Sequence, residues 1–151
     1  MNSDIETLIQ SSVSQLGLQL PAQDEFGAYS IQLEDGFYLS IMSSQDPDYV
    51  YLATPISILD HLDNKALYRR ALEANFMLID TRGATLAIDS IANQLLICSS
   101  TRADHLDEET LSDEIRSIVS AAQELRISLL NNLDNKMEDT SIEGSSPFFQ
   151  V

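Results

Sequence analysis

The chain has 151 residues, 44% of them hydrophobic, with eight Lys and Arg against 24 Asp and Glu, for a formal charge of -16. That length supports one core of ordinary size rather than two. So acidic a chain is repelled by nucleic-acid backbones and by anionic membranes, which leaves protein, and a basic one in particular, as the expected partner.

Ser3 followed by Glu6 reads as a capping box, after which Ile5, Leu8, Ile9, Val13 and Leu16 share one helical face until Gly17 stops the helix. The opposite face, Gln10, Ser11, Ser12, Ser14 and Gln15, carries no charge, so a partner could cover it without burying ions. Next, Tyr29, Ile31 and Leu33 alternate with Ala28, Ser30 and Gln32, the period of a half-buried strand. Asp35-Gly36 turns the chain into a second strand, with Phe37, Leu39 and Ile41 on one face and Tyr38, Ser40 and Met42 on the other. A loop through Gln45-Asp46-Pro47-Asp48 leads to a third strand, Tyr49 to Thr54, expected to stop at Pro55. These three strands form an antiparallel meander. Tyr38, Met42, Val50 and Leu52 fall opposite, or partly opposite, its best apolar rows, which implies either an exposed apolar patch or faces misassigned at bulges and ends.

The stretch Ile56 to Asn64 reads as a connection, with Asp63 or Asn64 available to cap a helix from Lys65 to Leu78. Leu67, Ala71, Ala74 and Leu78 form one apolar row of that helix, and Tyr68, Leu72 and Phe76 a second beside it. A helix apolar on two sides needs two neighbours, its own sheet and, in a chain this short, another subunit. After a turn from Asp80 to Gly83, Thr85 to Ile88 and Gln94 to Ser99 read as two further strands that extend the meander. Asp107 caps a last helix, with Glu108 and Glu109 at its anion-favouring end and Leu111, Ile115, Ile118, Val119, Ala122, Leu125 and Leu129 at helical steps. The expected fold is α+β, an antiparallel five-stranded sheet with three helices in the order α-β-β-β-α-β-β-α. The domain spans 1–131. Residues 132–151 have the polarity of a disordered acidic tail, apart from the apolar Pro147-Phe148-Phe149.

Charge is distributed unevenly along the chain. The first cation is Lys65, so the preceding residues carry Asp4, Glu6, Asp24, Glu25, Glu34, Asp35, Asp46, Asp48, Asp60 and Asp63 uncompensated. Such a field serves either solubility or an acidic docking surface. Cys98, the only cysteine, lies in the apolar run Leu95-Leu96-Ile97 and reads as a buried thiol. His61 and His105 have acids nearby, but these local pairings do not make a metal site, and no phosphate loop, nucleophile elbow or calcium loop is present in the sequence. We therefore expect no enzyme, no cofactor and no metal. Without a basic-then-apolar N-terminus or a membrane-length apolar run, the expected location is the cytoplasm, with no membrane insertion.

Leu72-Glu73-Ala74-Asn75-Phe76 resembles the Leu-x-Ala-Asn-hydrophobic end of the second helix in class I type III secretion chaperones, the Tir chaperone family. Gly83-Ala84-Thr85-Leu86-Ala87-Ile88-Asp89 is similar to the glycine and fourth strand of that family, and Asn93 to Ile97 and Leu106-Asp107 continue the match. The resemblance implies a non-enzymatic homodimer that holds the N-terminal segment of one or more secreted effector proteins partly extended before export. It implies the secretion ATPase as a further partner. It implies a dimer contact through Tyr68, Leu72, Phe76, Leu86 and Ile88, and effector contacts at Ile5, Leu8, Ile9, Ile31, Leu33, Leu39, Tyr49 and Tyr51. Two alternatives remain: a regulatory protein on the same fold that sequesters a secretion or transcription regulator, and more distantly a small hydrolase or metal-dependent enzyme.

Overall fold

The computed structural model describes residues 2–43, 49–59 and 64–131, with side chains from Asp4 onward. Helix α1 already includes Asn2, so Ser3 lies within it and is not its N-cap; the loop Gln45–Asp48, Asp60, His61 and Asp63, and the tail 132–151 with Pro147–Phe149 lie outside the described residues. The element order is α1 (Asn2–Gln15), β1 (Ala28–Gln32), β2 (Tyr38–Ser43), β3 (Tyr49–Ile58), α2 (Lys65–Ala74), β4 (Thr85–Asp89), β5 (Gln94–Arg102) and α3 (Glu108–Leu130). All five strands are antiparallel, in the spatial order β1-β2-β3-β5-β4. The fourth and fifth strands thus do not simply continue the meander. Their hairpin joins it through β5, which leaves β1 and β4 as the two edges.

Apolar alternation sets one face of the sheet inward. Tyr29, Ile31, Leu39, Ile41, Val50, Leu52, Ile56, Leu86, Leu95 and Ile97 are buried with Ile5, Ile9 and Val13 of α1 and Leu111, Ile115, Ile118, Leu125 and Leu129 of α3. Each such aliphatic chain contributes roughly 1.5–3 kcal/mol by leaving water. Val50 and Leu52 thus belong to the inner face, and β3 turns Tyr49, Tyr51 and Ala53 outward instead. Along β2 the reading of faces holds, with Tyr38 exposed opposite buried Leu39 and Ile41.

The first helix ends as its glycine requires. Gly17 has φ +71°, a left-handed conformation that costs other residues more, and Leu18 N–H reaches back to Val13 O at 3.2 Å. Part of the uncharged face of α1 is used within the chain. Ser12 is fully buried, its Oγ donating to Glu108 O at 3.2 Å, and Ser112 Oγ lies 2.8 Å from Gln15 Oε1. At the far end, Asp107 caps α3 by accepting from Thr110 N–H at 2.8 Å, while the Thr110 hydroxyl accepts from Asp107 N–H at 2.7 Å.

Pro55 does not end β3. The strand runs to Ile58 with a register shift between Pro55 and Ser57, and the last β2–β3 pair is Ser40 with Ala53, so the missing proline N–H falls where β2 no longer pairs. Its carbonyl is taken by Arg126 of α3, which donates from Nη2 at 2.6 Å and Nε at 3.0 Å. The same guanidinium donates to Thr54 Oγ1 at 3.2 Å and Asp35 at 3.1 Å, and lies 3.5 Å over the Phe37 ring. Burial pushes the Arg126 pKa down, and Asp35 opposes that shift. One side chain therefore joins α3, the bulge of β3 and the β1–β2 turn.

We expect Arg126→Met to lower stability by roughly 3 kcal/mol, because it strands a carboxylate, a hydroxyl and a carbonyl at once. The measurement is a lower urea midpoint at unchanged slope. A loss below about 0.5 kcal/mol, the range of ordinary surface changes, would remove this residue from the account.

Candidate partner-binding surfaces

The second helix is shorter than its periodicity suggested. It ends at Ala74, and Phe76–Leu78 form a tight 3-10 turn in which Met77 and Leu78 have φ of 61° and 56°. The interruption follows from Asn75. Its Oδ1 accepts from Leu86 N–H at 2.8 Å and its Nδ2 donates to Leu86 O at 3.1 Å, so the side-chain amide replaces a neighbouring strand along β4. Leu67, Ala71 and Ala74 face the core. On the other side Leu72 is 71% exposed, Phe76 58% and, two residues beyond the clamped Leu86, Ile88 is 52% exposed. Met77 and Ile79 are exposed beside them.

Of the five expected dimer-contact residues, then, Leu72, Phe76 and Ile88 are at the surface and Tyr68 is half-buried against the core. Leu86 lies in the core of a single chain, where it can only support its neighbours. The expected effector contacts divide in the same way. Ile5, Ile9, Ile31 and Leu39 are core residues with essentially no surface to offer, because each lies on the inner row of its helix or strand. Leu8 and Leu33 are partly buried at the margin of that core. Tyr49 and Tyr51 face outward with ring centroids 6.3 Å apart.

The outer sheet face carries no described helix. A depression of about 390 Å³ on it is lined by Ser30, Tyr38, Ser40, Ala53, Pro55 and Leu96, among others. Cys98 is on this face, half-buried rather than fully enclosed, with Sγ 3.5 Å from Thr85 O and its pKa raised by burial. At the β1 edge, Leu33 N–H donates to Phe37 O at 2.8 Å, which by strand alternation turns the backbone of Tyr29 and Ile31 toward β2 and that of Ser30 and Gln32 away from it. No described residue pairs with those outward groups, and both residues are exposed.

His105 is exposed, 3.9 Å from Asp104, and no group of three or more His, Cys, Asp or Glu among the described residues is arranged to hold a metal. No described helix is long and apolar enough to cross a membrane. Sequence reasoning missed the Asn75 clamp and the open β1 edge. The first had a signal in the asparagine that ends an otherwise apolar helix row, whereas the second needed the strand order.

A one-sided α+β sheet with an apolar helix flank at one end and an open strand edge at the other is the class these features define. The chain belongs to the Tir chaperone protein (CesT) family, whose model matches residues 7–126. Similar folds occur in a chain of the ExsC–ExsE complex (15% identity, TM-score 0.70, covering 84% of this chain and 94% of that one) and in one of the HopA1–SchA chaperone–effector complex (18%, 0.62, 81% and 92%). A chain of the ExoT–SpcS complex from Pseudomonas aeruginosa is a third (19%, 0.59, 82% and 98%). At these identities the likeness is one of fold. No curated protein matches the sequence significantly.

Replacing Asn75 with Leu keeps the bulk but leaves the Leu86 N–H and C=O without their partner, at an expected cost of about 1–3 kcal/mol. Amide exchange at Leu86 should accelerate while Ile97, on the neighbouring strand, stays protected. Equal exchange at Leu86 in both proteins would show that the clamp does not hold the edge.

Proposed function

We infer that this protein is a type III secretion chaperone, acting as a homodimer that holds the N-terminal segment of a secreted effector in a partly extended state. Membership of the Tir chaperone family across residues 7–126 carries this reading. The fold supports it through what it leaves uncovered. Leu72, Phe76 and Ile88 are exposed near an edge whose Leu86 is already held by Asn75, so a second copy would pack there through side chains. The effector segment would use the outer face and the β1 edge, with Tyr38, Tyr49 and Tyr51 as aromatic anchors and Leu8 and Leu33 at the margin.

Binding of this kind needs no nucleotide. Backbone pairing accepts many sequences, and apolar anchors select among them. Ordering an extended segment costs entropy, which favours a wide shallow contact, for which the outer face has room, over a deep pocket. The place of action in this reading is the cytoplasm, before export.

Two outcomes test the reading. Sedimentation at micromolar concentration should give a dimer for the unaltered chain, and Leu72→Asp or Phe76→Asp should weaken it at least about tenfold, since each puts a charge where an apolar contact is lost. A monomeric unaltered chain would overturn the dimer. Separately, affinity capture from the native cell should retain the N-terminal segment of a secreted protein, and Tyr51→Asp, still folded, should release it with about tenfold lower affinity. Capture of no such segment would overturn the chaperone assignment.

A further inference from the structure

The β4–β5 ladder ends before β5 does. Its last pair is Thr85 with Cys98, whereas β5 continues along β3 to Arg102. Asn75 takes the outward N–H and C=O of Leu86, so Thr85 and Cys98 are a hydrogen-bonded pair, and Ser100, two residues on, turns its own N–H and C=O the same way. No described residue bonds to them. Where an earlier start of β4 would have met them, residues 81–84 turn away instead, with Ala84 N–H on Thr81 O at 3.1 Å and Gly83 at φ +85°. The gap is a pocket of about 420 Å³, lined by Tyr51, Thr85, Ser100, Thr101, Glu114 and Ser117, among others. Its two charged residues are already engaged: Glu114 accepts from the Thr101 hydroxyl at 2.9 Å, and Arg82, also in the lining, lies 2.7 Å from Glu124. Thr81, in the same wall, is fully buried with a hydroxyl that has no partner among the described residues.

We propose that this pocket binds a carboxamide side chain, glutamine or asparagine, of the polypeptide held by the chaperone. One residue that offers an N–H and a C=O side by side selects a group with an acceptor and a donor on one carbon. An ammonium would leave the Ser100 N–H unmet, and a carboxylate would leave the C=O unmet and face Glu114. The chain supplies its own precedent one strand away, where the Asn75 amide meets Leu86 in this manner at 2.8 and 3.1 Å. A whole strand does not fit, because β4 itself occupies the next position along β5. Tyr51 lines the pocket and faces outward from β3, so a segment lying on the outer face reaches it past that ring. The proposal rests on the chaperone reading and deepens it, by adding a polar specificity pocket to a surface otherwise read through its aromatic and apolar anchors.

The probe is butyramide, a carboxamide on a short alkyl chain, titrated into the full chain while the backbone amide resonances are followed. Ser100 should shift to saturation with a dissociation constant on the order of 10 mM, in keeping with so small a ligand. Three analogues each lack part of the match: 2-pentanone has no donor, butyrate has a charge and no donor, and butylammonium has no acceptor. Each should bind at least about fivefold more weakly. Gln32, whose outward amide at the β1 edge is open without this pocket, should shift only in proportion to concentration. Ser117→Leu fills the pocket from α3 and should abolish saturation at Ser100; should that variant misfold, the analogue series on the unaltered chain decides alone. Equal binding of butyramide and 2-pentanone, or no saturation at Ser100, would overturn the proposal. In the captured native segment, replacing each glutamine by methionine and each asparagine by leucine should find at least one position that lowers affinity about tenfold and returns the Ser100 amide to fast exchange. If every such replacement is neutral, the proposal falls while the chaperone assignment stands. If no segment is captured, the chaperone assignment falls, and the proposal with it, whatever butyramide does.

Discussion

An open sheet ends in two strands whose outward N–H and C=O groups must find partners, and how each edge meets that requirement orders the rest of this molecule. At β4 the answer is partly within the chain: Asn75 folds its amide against Leu86 and satisfies that residue's outward groups with two hydrogen bonds. The cost is local. Helix α2 stops a turn earlier than its apolar spacing allows, Met77 and Leu78 take left-handed conformations, and the apolar residues of that turn stay at the surface. At β1 only Ala28 is closed from within, by Asp24, and the next outward residues are left to solvent or to a partner.

The opposed edges have opposed chemistry. An edge hydrogen-bonded at its middle residue, Leu86, favours association by side-chain burial, and Leu72, Phe76 and Ile88 are exposed near it. An edge with open backbone groups favours strand addition, and its surroundings are acidic. Arg126 stabilises the acidic side without making it basic, because its charge is turned inward and spent on Asp35, Thr54, Pro55 and the Phe37 ring. The acidic half of the chain thus keeps its field while its one tertiary cation fixes the β1–β2 turn that shapes the edge.

Element type and order were legible in the sequence wherever periodicity was strong: the row from Leu111 to Leu129, the alternation at Tyr29–Leu33 and the Asp35-Gly36 turn are all present as read. Errors arose where a tertiary contact overrode a local rule. Pro55 signals the end of a strand, yet β3 continues because β2 has stopped pairing there and Arg126, 71 residues away, takes the carbonyl. For Val50 and Leu52 the sequence left open an exposed patch or misassigned faces, and the second holds, because an alternating run does not say which of its two phases is the buried one. The candidate contacts Ile9, Ile31 and Leu39 show the same limit. Apolar character marks both a core and a binding patch, and only the position of α1 and α3 over the sheet separates the two.

The separation of the edges also constrains how a bound segment would run. Strand spacing of about 4.8 Å places β1 roughly 19 Å from β4 across the sheet. A dimer joined through the α2 and β4 flank would therefore carry its two acidic edges at its outer ends, far from the contact that holds it together. A partner segment pairing with one β1 edge would lie across one protomer without touching the dimer contact, so charge at Leu72 and charge at Glu25 or Glu34 should act independently on association and on binding. Any coupling between them would have to pass through a segment long enough to reach both edges, and it would appear as affinity that falls when the dimer is broken although every residue of the β1 edge is unchanged.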